Sequence, residues 1–201
     1  MPLSIFECCS QSQWGYTESA NTCRSPSIYG WGVVTPLHEA IDLGFDDIAH
    51  ILVDAGAETG PVPNEGVSAL LMATFRDNTA LAVYFIERGA DLNARGSEGN
   101  FPLQAAAENG NLALLKVLLA AGADATQRGS RGMHALNTAA FECHVECVRE
   151  LLDYGVDPNL PDVDGTTALE LMYLSSRHWD SALPEMQEGR REIIRLLTRS
   201  T

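Results

Sequence analysis

The chain has 201 residues, 45% of them apolar and 20% charged, enough to bury a substantial core and too apolar for a disordered chain. A formal net charge of −14 sets most of its surface against a phosphate backbone, which argues against nucleic acid as a direct partner and for a basic protein surface. No apolar run approaches the roughly eighteen residues of a membrane span, and residues 1–30 lack the basic start and apolar centre of a secretory signal, so no membrane partner is expected.

The cysteines Cys8, Cys9, Cys23, Cys143 and Cys147 are odd in number and unevenly spread in a chain large enough not to need staples, which fits a reduced compartment, cytoplasm or nucleus. Residues 1–34 match no later segment and hold Trp14 and Trp31. They form either a cap on the first of the units that begin at Thr35 or a flexible tail. From Thr35 onward the segments TPLHEA, SALLMA, FPLQAA, HALNTA and TALELM begin at Thr35, Ser68, Phe101, His134 and Thr167, each 33 residues after the last. Gly56, Gly89, Gly122 and Gly155 keep the same step, as do Leu37, Leu70, Leu103, Leu136 and Leu169.

Within one unit, Leu103, Ala106 and Ala107 recur at helical spacing, a break falls at Asn109-Gly110, and a second stripe of Leu114, Leu115, Leu118 and Leu119 ends at Gly122. This predicts a short helix, a turn and a second helix closed by a residue free to take the left-handed conformation. Pro36 and Pro102 stand where a helix tolerates a missing N–H, and Thr35, Ser68 and Thr167 stand where a hydroxyl caps one. The polar, glycine-rich links GADLNARGSEGN and GADATQRGSRGM predict projecting turns. Since no unit can bury its apolar face alone, the units must stack into an all-α solenoid. The predicted units are 35–67, 68–100, 101–133, 134–166 and 167–201. In the last, GRREIIRLLTRS aligns with earlier second helices, Leu196 against Leu151, only after about twelve extra residues, an insertion near 175–186 that carries His178, Trp179 and Pro184. It reads as a longer terminal turn or as part of a binding face.

The period, with TPLHEA at Thr35 to Ala40, GADLNA at Gly89 to Ala94 and DGTTAL at Asp164 to Leu169, resembles the ankyrin repeat over residues 30–201. The resemblance implies paired antiparallel helices with β-turn fingers at a right angle to them, and protein binding through fingers and inner helices. It also implies a linking histidine in each unit, which survives only as His38, with Leu71, Gln104, Asn137 and Glu170 in the equivalent places. Weaker bonding between units is expected there, and Phe101 and His134, in place of the usual threonine cap, should each cost roughly 1 kcal/mol unless compensated.

Carried over residue by residue, the family's variable contact positions are Glu65 and Val67, Glu98 and Asn100, and Arg131 and Met133 on the fingers, with Asn64, Ser97 and Ser130 beside them. On the inner helices they are Phe75 and Arg76, Glu108 and Asn109, and Phe141 and Glu142. Phe75, Phe141 and Met133 would be apolar anchors ringed by acids, suited to a partner offering apolar side chains with Lys or Arg; alternatively each ring only covers the next repeat. The resemblance further implies a monomeric adaptor or regulator, transcriptional co-regulators among them.

No catalytic residue, metal site or cofactor is predicted. Cys143, His144 and Cys147 form C-H-x-x-C, two ligands short of a closed zinc site, and Cys147 falls at the core position of Ile48, Leu81 and Leu114, so packing is the better account. Cys8 and Cys9 have no activating base nearby, the pairs His38-Glu39 and His178-Asp180 are four repeats apart, and Gly30-Trp31-Gly32 does not continue as a phosphate-binding loop. The rival readings are a groove that binds a small molecule under the N-terminal segment, with a chemistry of its own, and a scaffold that spaces two partners.

Overall fold

In a computed structural model, residues 23–27, 30–61, 66–174 and 184–200 are described. Two antiparallel strands come first, β1 (Cys23–Ser27) and β2 (Gly30–Val34), with Cys23 opposite Val34 and Ser27 opposite Gly30. The repeats then supply helices in pairs: α1 (Pro36–Asp42) with α2 (Asp46–Asp54), α3 (Ala69–Phe75) with α4 (Thr79–Glu87), α5 (Pro102–Asn109) with α6 (Leu112–Ala120), and α7 (Ala135–Phe141) with α8 (Val145–Tyr154). A final pair is α9 (Ala168–Leu174) and α10 (Pro184–Ser200).

The first helices pack in the order α1, α3, α5, α7, α9, and α4, α6, α8, α10 stack behind them, so two helical layers share one continuous core. The repeats are thus all-α, as expected, and the hairpin precedes them. Of the residues that the sequence singles out, Cys8, Cys9, Trp14, Asn64, Glu65, His178 and Trp179 lie outside the described residues.

Three left-handed positions recur every 33 residues: Gly44, Asp77, Gly110 and Cys143 between the two helices; Gly56, Gly89, Gly122 and Gly155 after the second; Gly66, Gly99, Gly132 and Gly165 at the finger tips. The period therefore records where the backbone must reverse. Each finger closes with one short backbone bond, from Gly96 N–H to Asn100 C=O (2.8 Å), Gly129 N–H to Met133 C=O (2.8 Å) and Asp162 N–H to Thr166 C=O (2.9 Å). Ahead of each finger, Asp91, Asp124 and Asp157 each accept the amide of the residue two further on at 2.9 Å, the Asx turn that this residue type favours.

Two expectations about the helix ends and links meet compensating contacts. Phe101 and His134 make no side-chain capping bond, yet both are buried in useful ways. The Phe101 ring belongs to the core. His134 spans two links, with Nδ1 3.3 Å from the Gln127 carbonyl and Nε2 3.0 Å from that of Pro161. Bonding between units also persists at one of the positions that lack histidine, where Gln104 donates to Thr138 Oγ1 of the next unit (3.2 Å), while Asn137 Nδ2 donates to the Thr166 carbonyl at the end of its own unit (3.3 Å). Glu170 does something else, accepting the Thr167 amide at 2.9 Å while Thr167 Oγ1 accepts the Glu170 amide at 3.3 Å, a closed capping box for α9.

The last helix departs furthest from the period. α10 has 17 residues where α6 has 9, and it starts at Pro184, inside the segment assigned to the insertion. Ile193 and Leu197 are its fully buried apolar residues, while Leu196, aligned with Leu151 by sequence, is only half-buried.

Candidate protein-binding groove

Between the second and third units the inner helices α3 and α5 and the finger Gly96–Asn100 enclose an open groove of about 610 Å³. Its floor and walls are Val67, Met72, Phe75, Arg76, Gly96, Ser97, Glu98, Asn100, Glu108 and Asn109. Phe75 ends α3 and is 39% exposed, because its neighbours Ala73 and Thr74 turn into the core and leave the ring on the groove side. Gly96 lets the finger close over α3: a Cβ there would sit 3.0 Å from a Leu71 methyl.

The polar groups of the groove are anchored from behind. Arg76 pairs with Asp42 of the preceding unit. Asn109 Nδ2 donates to the Thr74 carbonyl (2.9 Å), and His144 Nε2 lies 2.9 Å from the Glu108 carbonyl. These contacts fix the backbone and leave the carboxylates of Glu98 and Glu108 exposed and in no ion pair among the described residues. Asn100 Oδ1 is buried in the finger wall with no hydrogen-bond partner among the described residues.

Eight sequence-predicted positions meet here: Val67, Phe75, Arg76, Ser97, Glu98, Asn100, Glu108 and Asn109. Arg131, Phe141 and Glu142 lie one unit further on, where the rings are less open: Phe141 is half-buried. Met133 is not the exposed anchor it was expected to be. It is 9% exposed, because its carbonyl closes the finger on Gly129 and its side chain is folded inward beside the buried His134. Met72 was missed, although the signal was present: it stands three and four residues before Phe75 and Arg76 and so shares their helical face.

Among the described residues, the other chemistry-bearing side chains lie in packing and hydrogen-bonding positions. Cys147 is buried, and burial pushes its thiol up to about 11; burial also raises that of Cys143. A thiol held protonated is the opposite of what a nucleophile or a metal ligand needs. Among the described residues no group of three His, Cys, Asp or Glu side chains is placed to hold a metal ion. His38 is buried at the start of α1 with Nδ1 2.6 Å from Thr35 Oγ1, and desolvation lowers its pKa to about 4 against a smaller opposing effect of the Val67 backbone. Gly30-Trp31-Gly32 lies within β2 and precedes no phosphate-binding turn. No described helix is long and apolar enough to cross a membrane.

A comparison with curated proteins found no match. A family model described as ankyrin repeats, three copies, matches residues 37–129 and again 103–182. Those matches span the first four helix pairs, α9, the fingers between them and the groove, and together they cover more than half of the chain: it belongs to the ankyrin-repeat family.

Proposed function

We propose that the chain is a non-catalytic adaptor or regulator that holds a protein partner in the groove between its second and third units. Ankyrin repeats in general mediate protein–protein interactions, and the finer reading rests on one observation: an exposed phenylalanine set among acidic side chains on a rigid wall. Phe75 supplies the apolar seat, set above the buried Met72, and Glu98 and Glu108 supply charge for Lys or Arg on the partner. A partly exposed ring held by its own helix loses little freedom on binding, which makes it an efficient anchor. The groove is about half open, which leaves an entry for a polypeptide segment laid along it. The proposed setting is a monomer in the cytoplasm or nucleus, with no cofactor and no direct contact with nucleic acid, and transcriptional co-regulation is the role to test first.

The test is affinity capture from the native host's lysate with wild type and with Phe75→Ala, the variant first shown by circular dichroism to be folded. A protein held by the wild type should bind the variant more weakly by about 2 kcal/mol, roughly thirtyfold in affinity. A captured protein that binds both equally well would place the site elsewhere.

A further inference from the structure

Residues 33 apart do the same job in successive units, so the first unit can be set against the others side chain by side chain. Position 43 of the first unit corresponds to Arg76 and Asn109, position 45 to Asn78 and Asn111, and position 51 to Tyr84, Val117 and Glu150. Except for Val117, these later side chains reach back to the unit before. Arg76 pairs with Asp42, and Asn109 bonds the Thr74 carbonyl at 2.9 Å. Asn78 donates to Asp46 at 2.9 Å, and Asn111 donates to Asp77 and Thr79 at 2.7 Å each. The Tyr84 hydroxyl donates to Asp54 at 3.0 Å, and Glu150 pairs with Lys116 at 3.2 Å.

In the first unit the same three positions are Leu43, Phe45 and Ile51, and they are 56%, 51% and 66% exposed. The end of a repeat stack that faces water needs a polar outer surface. At these three positions this end is instead apolar, so it is built to be covered.

We infer that residues 1–22 of this chain pack over Leu43, Phe45 and Ile51, in the place a preceding unit would take. Two observations select that occupant. The hairpin register sets Cys23 opposite Val34, one residue before the Thr35 cap of α1, so residue 22 leaves the hairpin beside the first unit. Twenty-two residues reach about 70 Å when extended, several times the roughly 10 Å length of a two-turn helix such as α1. The patch itself is three side chains wide, far short of the about 800 Å² per partner of a stable interface between free molecules. A tethered segment needs no such area, because its local concentration is already high. Residues 1–22 carry Leu3, Ile5, Phe6, Trp14 and Tyr16 and only two charged side chains, Glu7 and Glu18, a composition that suits an apolar seat. Neither this seat nor its occupant depends on the groove between the second and third units.

The experiment is methyl-detected NMR on the full chain, reading nuclear Overhauser effects from the Leu43 and Ile51 methyls. Contacts to ring protons of residues 1–22, unchanged on tenfold dilution, are expected. Leu43→Ser, Phe45→Ser and Ile51→Ser together should move the amide signals of 1–22 to random-coil positions and leave those of the second to fifth units in place. Since the three side chains are exposed, the triple variant loses no core contact. Absence of such effects in wild type would overturn the inference, as would effects that vanish on dilution, which would mark a second copy as the occupant. Retention of dispersed signals for 1–22 in the triple variant would overturn it too.

Discussion

At the scale of single residues, the most informative side chain is one with no part in the groove. His38 is buried, and desolvation holds its pKa at about 4 in the folded state against an ordinary value of 6.5. The folded pKa is the lower one, so the unfolded chain takes up the proton first. The stability from keeping His38 neutral is fully present above pH 6.5 and is lost as pH falls toward 4. Between pH 7 and pH 5 the repeats at this end should lose about 2 kcal/mol, read from urea denaturation, and His38→Gln should remove most of that dependence. An equal pH dependence in the variant would mean that other groups titrate there. His38 was legible in the sequence through its place in TPLHEA. The compensation at His134 was not, because it depends on the carbonyls of Gln127 and Pro161, brought to the ring only once the fingers are folded. Gly110 shows the same limit: sequence marks it as a turn, but only structure shows that a Cβ would lie 2.5 Å from the His144 ring, which uses that gap to reach the Glu108 carbonyl.

At the scale of elements, the second helices α4 and α6 are held at their starts by side chains that also join the units. Asn111 caps α6 by accepting the Leu114 amide at 2.9 Å, while its Nδ2 donates to Asp77 and Thr79 of the unit before. Asn78 repeats the arrangement for α4, accepting the Leu81 amide at 3.0 Å and donating to Asp46. Asn111→Ala therefore removes a cap and a link between units together and should cost about 2 kcal/mol in denaturant unfolding, more than a cap alone. A loss no greater than about 0.5 kcal/mol would show that water replaces the asparagine. Helix order and most boundaries followed from the period because a left-handed residue, a cap or a first-turn proline marks many of them locally. The last helix did not, since nothing in GRREIIRLLTRS says that the helix has already begun at Pro184.

At the scale of the whole molecule, two helical layers and a row of fingers make a rigid wall, and function depends on which part of it stays apolar and open. Sequence placed the contact positions evenly along that wall, because the family's pattern is the same in every unit. The structure does not treat them evenly: the groove at Phe75 is open, while one unit further on Met133 is turned inward and Phe141 is half-covered. That difference arises from packing between neighbouring fingers, which no single unit encodes. The most direct measurement is photo-crosslinking in the native host, with the crosslinking residue introduced in place of Ser97 in the groove wall or, on the other layer, in place of the exposed Ala113 of α6. Crosslinks to one discrete protein from the Ser97 site and none from the Ala113 site are expected if the groove holds the partner. The same protein crosslinked from Ala113 and not from Ser97 would put the partner on the opposite layer and end the case for the groove.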